Sequence, residues 1–266
     1  MKKWIAMILA LTMMFTLAAC GGNDSSAADD SGDKDLVYAV EAGSAGEAAA
    51  LDNGWNTNSV ADQATALMEV AAGTSDAAII DLLMAGAMIG EGTSYPDLIY
   101  TDKLTTEEYG VGCRQGSDLV DVINAVFSAA YADGTMQEIA KQYGVQESLC
   151  EQPAGLTWEA AAGGDVEAIQ AAGKLVVGIT EFAPMDYLDE NNEWIGIDAD
   201  MARLVAEELG VDIEFVVIDW DMKINEVNAK NIDCVWNGMT LTAEVTAAMD
   251  CSAAYCNNAQ VVVIAG

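Results

Sequence analysis

The chain has 266 residues, with 43 acidic against 10 basic side chains and a formal net charge of −33 at pH 7. A charge of this sign and size disfavours nucleic acid and anionic lipid surfaces as binding partners. The sequence contains no histidine, which excludes Ser-His-Asp and Cys-His catalysis and removes the commonest general base and metal ligand. The length fits one large domain or two small ones.

The first residues predict an exported lipoprotein. Lys2 and Lys3 precede an uncharged apolar stretch, 4–19, that is too short for a membrane span. The stretch ends in "LAAC" followed by "GG", which resembles a bacterial lipobox and implies that Cys20 is lipidated and anchors the chain to the cell membrane. An ordinary secretory signal is the alternative. The polar segment after Cys20 favours the lipoprotein, so we expect a signal peptide at 1–19 and a flexible linker at 20–35.

From residue 36 the hydrophobic pattern alternates between strands and helices. A strand leads into a Gly-rich turn and a helix that ends at Gly54, and the pattern at 59–73 predicts a second helix. Further on, the pattern predicts a strand continuing into a helix at 76–90, strands at 96–101 and 107–113, and two helices in 117–144.

The segment 151–164 reads as a linker, and the alternation then resumes. Helices are predicted at 165–173, 201–210 and 221–230, and strands at 174–179, 212–218, 232–238 and 259–266. This alternation predicts an α/β fold with mostly parallel sheets flanked by helices, and two sheets fit the length better than one.

Five cysteines follow Cys20, and none belongs to a CxxC pair: Cys113, Cys150, Cys234, Cys251 and Cys256. Zinc is therefore not expected, and no other metal or cofactor is predicted. Outside the cell, a disulfide among the last three is compatible with the sequence, and so are buried free thiols. The pairing stays open.

Several segments together resemble one known family. "KLVVGITEFAPMDY" and "WIGIDADMARLVAEELGV" are similar to the first lobe of the solute-binding lipoproteins of amino-acid ABC transporters, extracellular solute-binding family 3. "NIDCVWNGMTLTAE" is similar to the ligand segment of that lobe, "LVYAVEAGSAGE" and "SDAAIIDLLMA" to its second lobe, and "EEYGVGCRQGSD" to its returning hinge. The resemblance spans nearly all of 36–266 and implies a two-lobed type II periplasmic-binding fold.

The order of these segments is rotated relative to the family. Lobe 2 is expected at 36–110, followed by the return hinge and helices packing on lobe 1 at 111–150, the linker at 151–164, and lobe 1 at 165–266. A circular permutation cut at one hinge explains this order. It predicts a single covalent crossing between the lobes, near 109–114.

The resemblance implies a ligand site between the lobes. Asp81, after a predicted strand, matches the acid that binds a ligand ammonium, although Asp is also a favoured helix cap. Phe182 and Trp220 match aromatic walls; without the resemblance both are core aromatics. Gly238 and Thr240 match positions whose backbone contacts the ligand, and the amide of Asn237 lies beside them. Ser44 begins a predicted helix whose amides could receive a carboxylate, or it is only a turn into that helix.

Two positions depart from the family. Val245 stands where the family has an arginine that makes a bidentate hydrogen bond to the ligand carboxylate. Such a charge-assisted pair contributes about 1.5–3 kcal/mol to binding. Glu41 stands where relatives can carry a basic residue. One explanation is that Lys223 replaces the missing cation, although it could also be a solvated lysine at a helix start. The other explanation is that the ligand lacks a free carboxylate or carries extra positive charge.

The sequence thus predicts a non-catalytic, monomeric binding protein outside the cytoplasm. It would capture an amino acid or a related small amine and present it to the permease of an ABC transporter. One alternative is a dehydratase-like enzyme with Glu41 or Glu181 as general acid. The other is a ligand sensor for a membrane receptor.

Overall fold

Two five-stranded sheets, each flanked by helices, organise residues 35–266, which are the residues described by the computed structural model. The predicted α/β fold class is confirmed. The predicted signal peptide, Cys20 and nearly all of the predicted flexible linker lie outside the described residues. In the described part, no helix has the length and apolar character needed to cross a membrane.

The strands alternate with helices as the hydrophobic pattern predicts. The strands are β1 (Val37–Glu41), β2 (Asn56–Val60), β3 (Ala77–Asp81), β4 (Leu98–Lys103), β5 (Glu107–Tyr109), β6 (Gly112–Cys113), β7 (Lys174–Ile179), β8 (Tyr187–Leu188), β9 (Trp194–Ile195), β10 (Asp212–Val217), β11 (Cys234–Val235), β12 (Asp250–Cys251), β13 (Cys256–Asn258) and β14 (Gln260–Ala265). The helices are α1 (Ala45–Asp52), α2 (Gln63–Ala72), α3 (Leu82–Met88), α4 (Leu119–Asp133), α5 (Thr135–Gln142), α6 (Asp165–Ala172), α7 (Ile197–Leu209), α8 (Lys223–Asn228) and α9 (Ala243–Ala248).

One predicted helix is shorter than expected. The pattern at 59–73 predicted a helix throughout, but α2 begins only at Gln63, where the side chain of Asp62 accepts the backbone N–H of Thr65. The residues before this cap form the polar strand β2, which pairs in parallel with β1. The helix ends where predicted, because Gly73 adopts a left-handed φ of 71°.

Each sheet has four strands in one direction and one reversed strand. The lobe-2 sheet has the order β2-β1-β3-β14-β4, and β14 is antiparallel to both neighbours. The lobe-1 sheet has the order β10-β7-β11-β6-β12, and β6 is antiparallel to both neighbours. The two sheets therefore follow the same plan, with the reversed strand in the fourth place.

The chain crosses between the lobes twice. It passes from β4 through β5 to β6, and from β12 through β13 to β14, while β5 and β13 pair as an antiparallel ribbon. The predicted single crossing near 109–114 is therefore wrong, because the last strand joins the lobe-2 sheet. For the same reason, the expected range 165–266 for lobe 1 includes a strand that belongs to the other sheet.

The segment after β6 packs on lobe 1. In α4 a stripe at helical spacing is buried: Leu119, Val122, Ile123, Val126 and Phe127. Both α4 and α5 contact α7. The irregular segment 151–164 lies along the same helices: the indole of Trp158 donates to Glu208 at 2.9 Å, and the amide of Leu156 donates to Ser128 at 3.1 Å.

The five described cysteines are free thiols. Cys113 and Cys234 face each other in register on β6 and β11, and both are fully buried. Burial raises the pKa of the Cys113 thiol, which keeps it protonated and poorly reactive. Among the described residues, no group of three or more Cys, Asp or Glu side chains could hold a metal ion.

Candidate functional site

A cavity of about 320 Å³ lies between the two lobes. From lobe 2 it is lined by the ends of β1 and β3 and the start of α1, and from lobe 1 by the Trp220 turn, α8 and the segment leading into α9. Both strands are in the parallel part of their sheet, where carboxyl ends meet at one edge. The cavity gathers these predicted residues: Glu41, Ser44, Asp81, Trp220, Lys223, Asn237, Gly238 and Thr240.

Phe182 is the predicted site residue that does not line this cavity. It packs behind Gly238, with its ring edge against Tyr109 at 6.3 Å between centroids. A larger cleft of about 600 Å³ lies at Trp158 on the outside of lobe 1, but none of the predicted residues lines it. Glu181 lines a separate cavity of about 250 Å³. The interlobe cavity is the candidate site because buried ionisable groups converge on it.

Asp81 lies in the cavity wall and is only 4% exposed. It stands at the N-cap position of α3 but caps no backbone group. Instead its carboxylate accepts hydrogen bonds from Tyr109 at 2.6 Å and Gln260 at 3.0 Å, and from the amides of Gln63 and Asn258. The helix-cap alternative is therefore wrong, and both carboxylate oxygens already have protein partners.

Burial raises the pKa of Asp81 to about 7, and the charge of Glu107 adds to that rise. The hydrogen bonds from Tyr109, Gln63 and Gln260 act in the opposite direction, because they stabilise the charged form. Asp81 therefore binds a proton more readily than an exposed aspartate does.

Glu107 is the centre of a polar cluster that sequence reasoning missed. Its carboxylate accepts from Thr105 at 2.8 Å, Thr240 at 3.1 Å and Gln260 at 3.0 Å. Asn258 donates to it as well, at 3.2 Å. The cluster connects the cavity wall to the two crossing strands. Polar amides directly before and within the otherwise apolar run 259–266 were the available signal.

Glu41 ends β1 and is 3% exposed. Its Oε1 atom has no hydrogen-bond partner. Burial, followed by the nearby charge of Asp81, raises the pKa of Glu41 to about 8, although a hydrogen bond from Gln63 and the charge of Lys223 lower it. The cavity therefore contains a buried carboxyl group with an unsatisfied oxygen.

Lys223 is buried, at 7% exposure, so the solvated-lysine alternative is wrong. Its ammonium donates to the carbonyl of Gly43 in lobe 2 at 2.8 Å and to that of Trp220 in lobe 1 at 3.1 Å. It also lies 4.9 Å from the centroid of the Trp220 ring, in cation–π contact. Burial lowers the pKa of Lys223, and the charge of Glu41 opposes this. The lysine joins the two lobes.

Three backbone N–H groups around the cavity donate to protein side chains. The hydroxyl of Ser44 accepts the N–H of Glu47, and the carboxylate of Glu47 accepts the N–H of Gly43 at 2.7 Å. On the other side, Thr242 caps α9 by accepting from Val245 at 3.2 Å. Ser44 therefore lines the cavity while its oxygen caps its own helix.

Gly238 is fixed from behind the cavity. Its N–H donates to Asp198 at 2.6 Å, and Asp198 also accepts from Tyr255 at 2.7 Å. Burial raises the pKa of Asp198 to about 7. The neighbouring Asn237 donates its amide to Thr180 at 2.6 Å, and its carbonyl oxygen is buried without a partner. The amide of Gly238 is thus committed to lobe 1.

Comparison with known proteins finds a family match for part of the chain. Residues 175–266 match the bacterial extracellular solute-binding proteins, family 3. The similar curated proteins include the arginine-binding extracellular protein ArtP of Bacillus subtilis, which is 31% identical over 83 residues, 31% of this chain and 32% of that protein. A probable histidine-binding protein of Neisseria gonorrhoeae is 33% identical over 89 residues, 34% of this chain and 33% of that protein.

The chain spans about a third of the length of these relatives. A solved structure of an ancestral cationic amino-acid solute-binding protein is 36% identical, with a TM-score of 0.31 over 31% of this chain and 37% of that chain. The resemblance recognised from the sequence is confirmed by this family match over residues 175–266, while the circular permutation and the lipid anchor stay predictions.

Proposed function

We propose, from the family match of residues 175–266, that the protein is the extracytoplasmic solute-binding component of an ABC importer and captures an amino acid or a related small amine. The observation that carries the proposal is the interlobe cavity, on which ionisable side chains from both sheets converge. The similar proteins include an arginine-binding and a probable histidine-binding protein, which supports the ligand class.

Capture would work by closure of the two lobes on the solute. A ligand that contacts both Glu41 in lobe 2 and Trp220 in lobe 1 favours the arrangement in which these residues are close together. The ribbon of β5 and β13 is the connection about which the lobes would move. We further propose a monomer, tethered through a lipid on Cys20, whose closed form docks on a permease.

Circular permutation remains our explanation of the segment order, but the two observed crossings exclude a cut at one hinge. It is supported by the common plan of the two sheets, in which β6 and β14 are the equivalent reversed strands. In the ribbon, β5 leads into β6 and β13 leads into β14, and β5 and β13 run antiparallel. The two reversed strands therefore leave the ribbon at opposite ends, which is compatible with an order in which lobe 2 precedes lobe 1.

Binding is tested by thermal shift and calorimetry on the purified chain with amino acids, polyamines and betaines. A specific ligand should raise the melting temperature in a concentration-dependent manner, because it binds only the folded state. Trp220→Ala should weaken that binding, whereas Trp158→Ala, on the outside of lobe 1, should not. A panel without any shift would contradict the proposed function.

A dehydratase-like enzyme is the second candidate, and one observation favours it. Glu41 has a pKa raised to about 8, so it holds a proton at neutral pH as a general acid must. Recovery of the bound solute unchanged after prolonged incubation supports the binding protein. Conversion that is lost in Glu41→Gln supports the enzyme.

A further inference from the structure

The interlobe cavity has an excess of acidic over basic side chains. Its lining includes the carboxyl groups of Glu41, Asp81, Asp221 and Glu244, against the single basic side chain of Lys223. The ammonium of Lys223 is already held by two backbone carbonyls and by the face of the Trp220 ring. Val245 contributes no charge and is buried in the cavity wall. A ligand carboxylate entering here would meet four acids and no uncommitted arginine or lysine of the lining.

Four backbone N–H groups around the cavity are also occupied. At α1 the carboxylate of Glu47 holds the N–H of Gly43, and the N–H of Glu47 is taken by Ser44. At the opposite wall, the N–H groups of Gly238 and Val245 are taken by protein oxygens. The helix N-terminus that attracts anions therefore already carries an anionic side chain of its own.

The cavity does offer an acceptor for a cation. Both oxygens of Asp81 are paired within the protein, but Oε1 of Glu41 is buried and has no partner. A buried acceptor without a partner is costly, and a hydrogen bond to a charged donor removes that cost. Beside the acids, Ile224, Met239 and Val245 supply an apolar wall.

We infer that the cavity selects small alkyl amines that carry no carboxylate, with the ammonium bound at Glu41 and the hydrocarbon part on the apolar wall. This inference rests on the proposed function and narrows its ligand class. Glu41, rather than Asp81, is then the residue that pairs with the ligand cation.

The inference is tested with pairs of probes that differ only in the carboxylate. Calorimetry on the full chain compares lysine with cadaverine and arginine with agmatine. Each amine should bind at least tenfold more tightly than its amino acid. Equal or tighter binding of the amino acids would overturn the inference while leaving the proposed function in place. No binding of any of the four probes would overturn the inference, and the wider thermal-shift panel would then decide on the proposed function.

Two variants locate the recognition. Glu41→Gln keeps the size of the side chain but removes its ability to ionise beside an ammonium, and it should weaken amine binding at least tenfold, whereas the matched control Glu138→Gln, exposed on α5, should not. Val245→Arg places a cation in the wall and should shift the ratio of affinities toward the amino acids. Unchanged amine affinity in a folded Glu41→Gln protein would refute the assignment.

Discussion

Glu41 should make the folded protein less stable as the pH rises. Its pKa of about 8 in the folded chain lies above the ordinary value of 4.5, so the folded state binds the proton more tightly than the unfolded state. Its contribution to stability is therefore complete below pH 4.5 and is lost as the pH rises through about 8. A shift of this size corresponds to about 5 kcal/mol, an upper limit because Asp81 and Glu41 titrate together.

Glu41→Gln removes this titration, since glutamine stays neutral. In the absence of ligand, its free energy of unfolding should exceed that of the unmodified protein at pH 9, by about 2–5 kcal/mol, and the two should converge near pH 4.5. Urea titrations followed by far-UV circular dichroism at several pH values measure the difference.

The exposed control Glu138→Gln should follow the unmodified protein at every pH. Parallel pH profiles for Glu41→Gln and the unmodified protein would refute the reasoning, because they would mean that Glu41 is ionised in the folded state without cost.

Three further substitutions test other contacts. Lys223→Met removes the ammonium that bridges the lobes and should lower the free energy of unfolding by about 1–3 kcal/mol. It should also increase the radius of gyration of the ligand-free protein in small-angle scattering. An unchanged radius would contradict the bridging role. Tyr109→Phe removes the hydroxyl that donates to Asp81 and should cost about 1–3 kcal/mol by urea unfolding, whereas a neutral result would mean that the carboxylate does not depend on it. Gly238→Ala places a Cβ 2.5 Å from a ring carbon of Phe182 at a backbone φ of +56°. It should lower the free energy of unfolding more than Gly73→Ala, where φ is +71° but no atom lies near the added Cβ. Equal losses would show that only backbone strain matters.

The longer elements could be predicted from the sequence because their hydrophobic period is unambiguous. The buried stripe of α4 and the apolar runs of β7 and β14 are examples. β2 could not be predicted, because "NTNSV" has no alternation of apolar and polar residues to mark a strand that pairs in parallel with β1.

The hydrophobic pattern of a strand does not specify which sheet the strand joins. The run 259–266 was identified as a strand, but its partners β3 and β4 lie more than 150 residues earlier in the chain, and hydrophobicity does not specify them. The single-crossing hypothesis failed for this reason.

In the candidate site, the positions of the residues could be predicted but their hydrogen-bond partners could not. Its residues could be placed together because they follow strand ends or occupy loops at one edge of a sheet. Their hydrogen-bonding state could not be predicted, since Asp81 is saturated by amides that are distant in sequence, such as Gln63 and Gln260. The same holds for Lys223, whose partner Gly43 is 180 positions away.

The paired ribbon of β5 and β13 gives the molecule redundant connectivity. If a protease cut one of the two strands, the other would still tether the halves. The remaining strand would hold each lobe at an effective concentration of about millimolar relative to the other, as for short flexible tethers. The two lobes of a nicked molecule should therefore reassociate and re-form the cleft without diffusing apart.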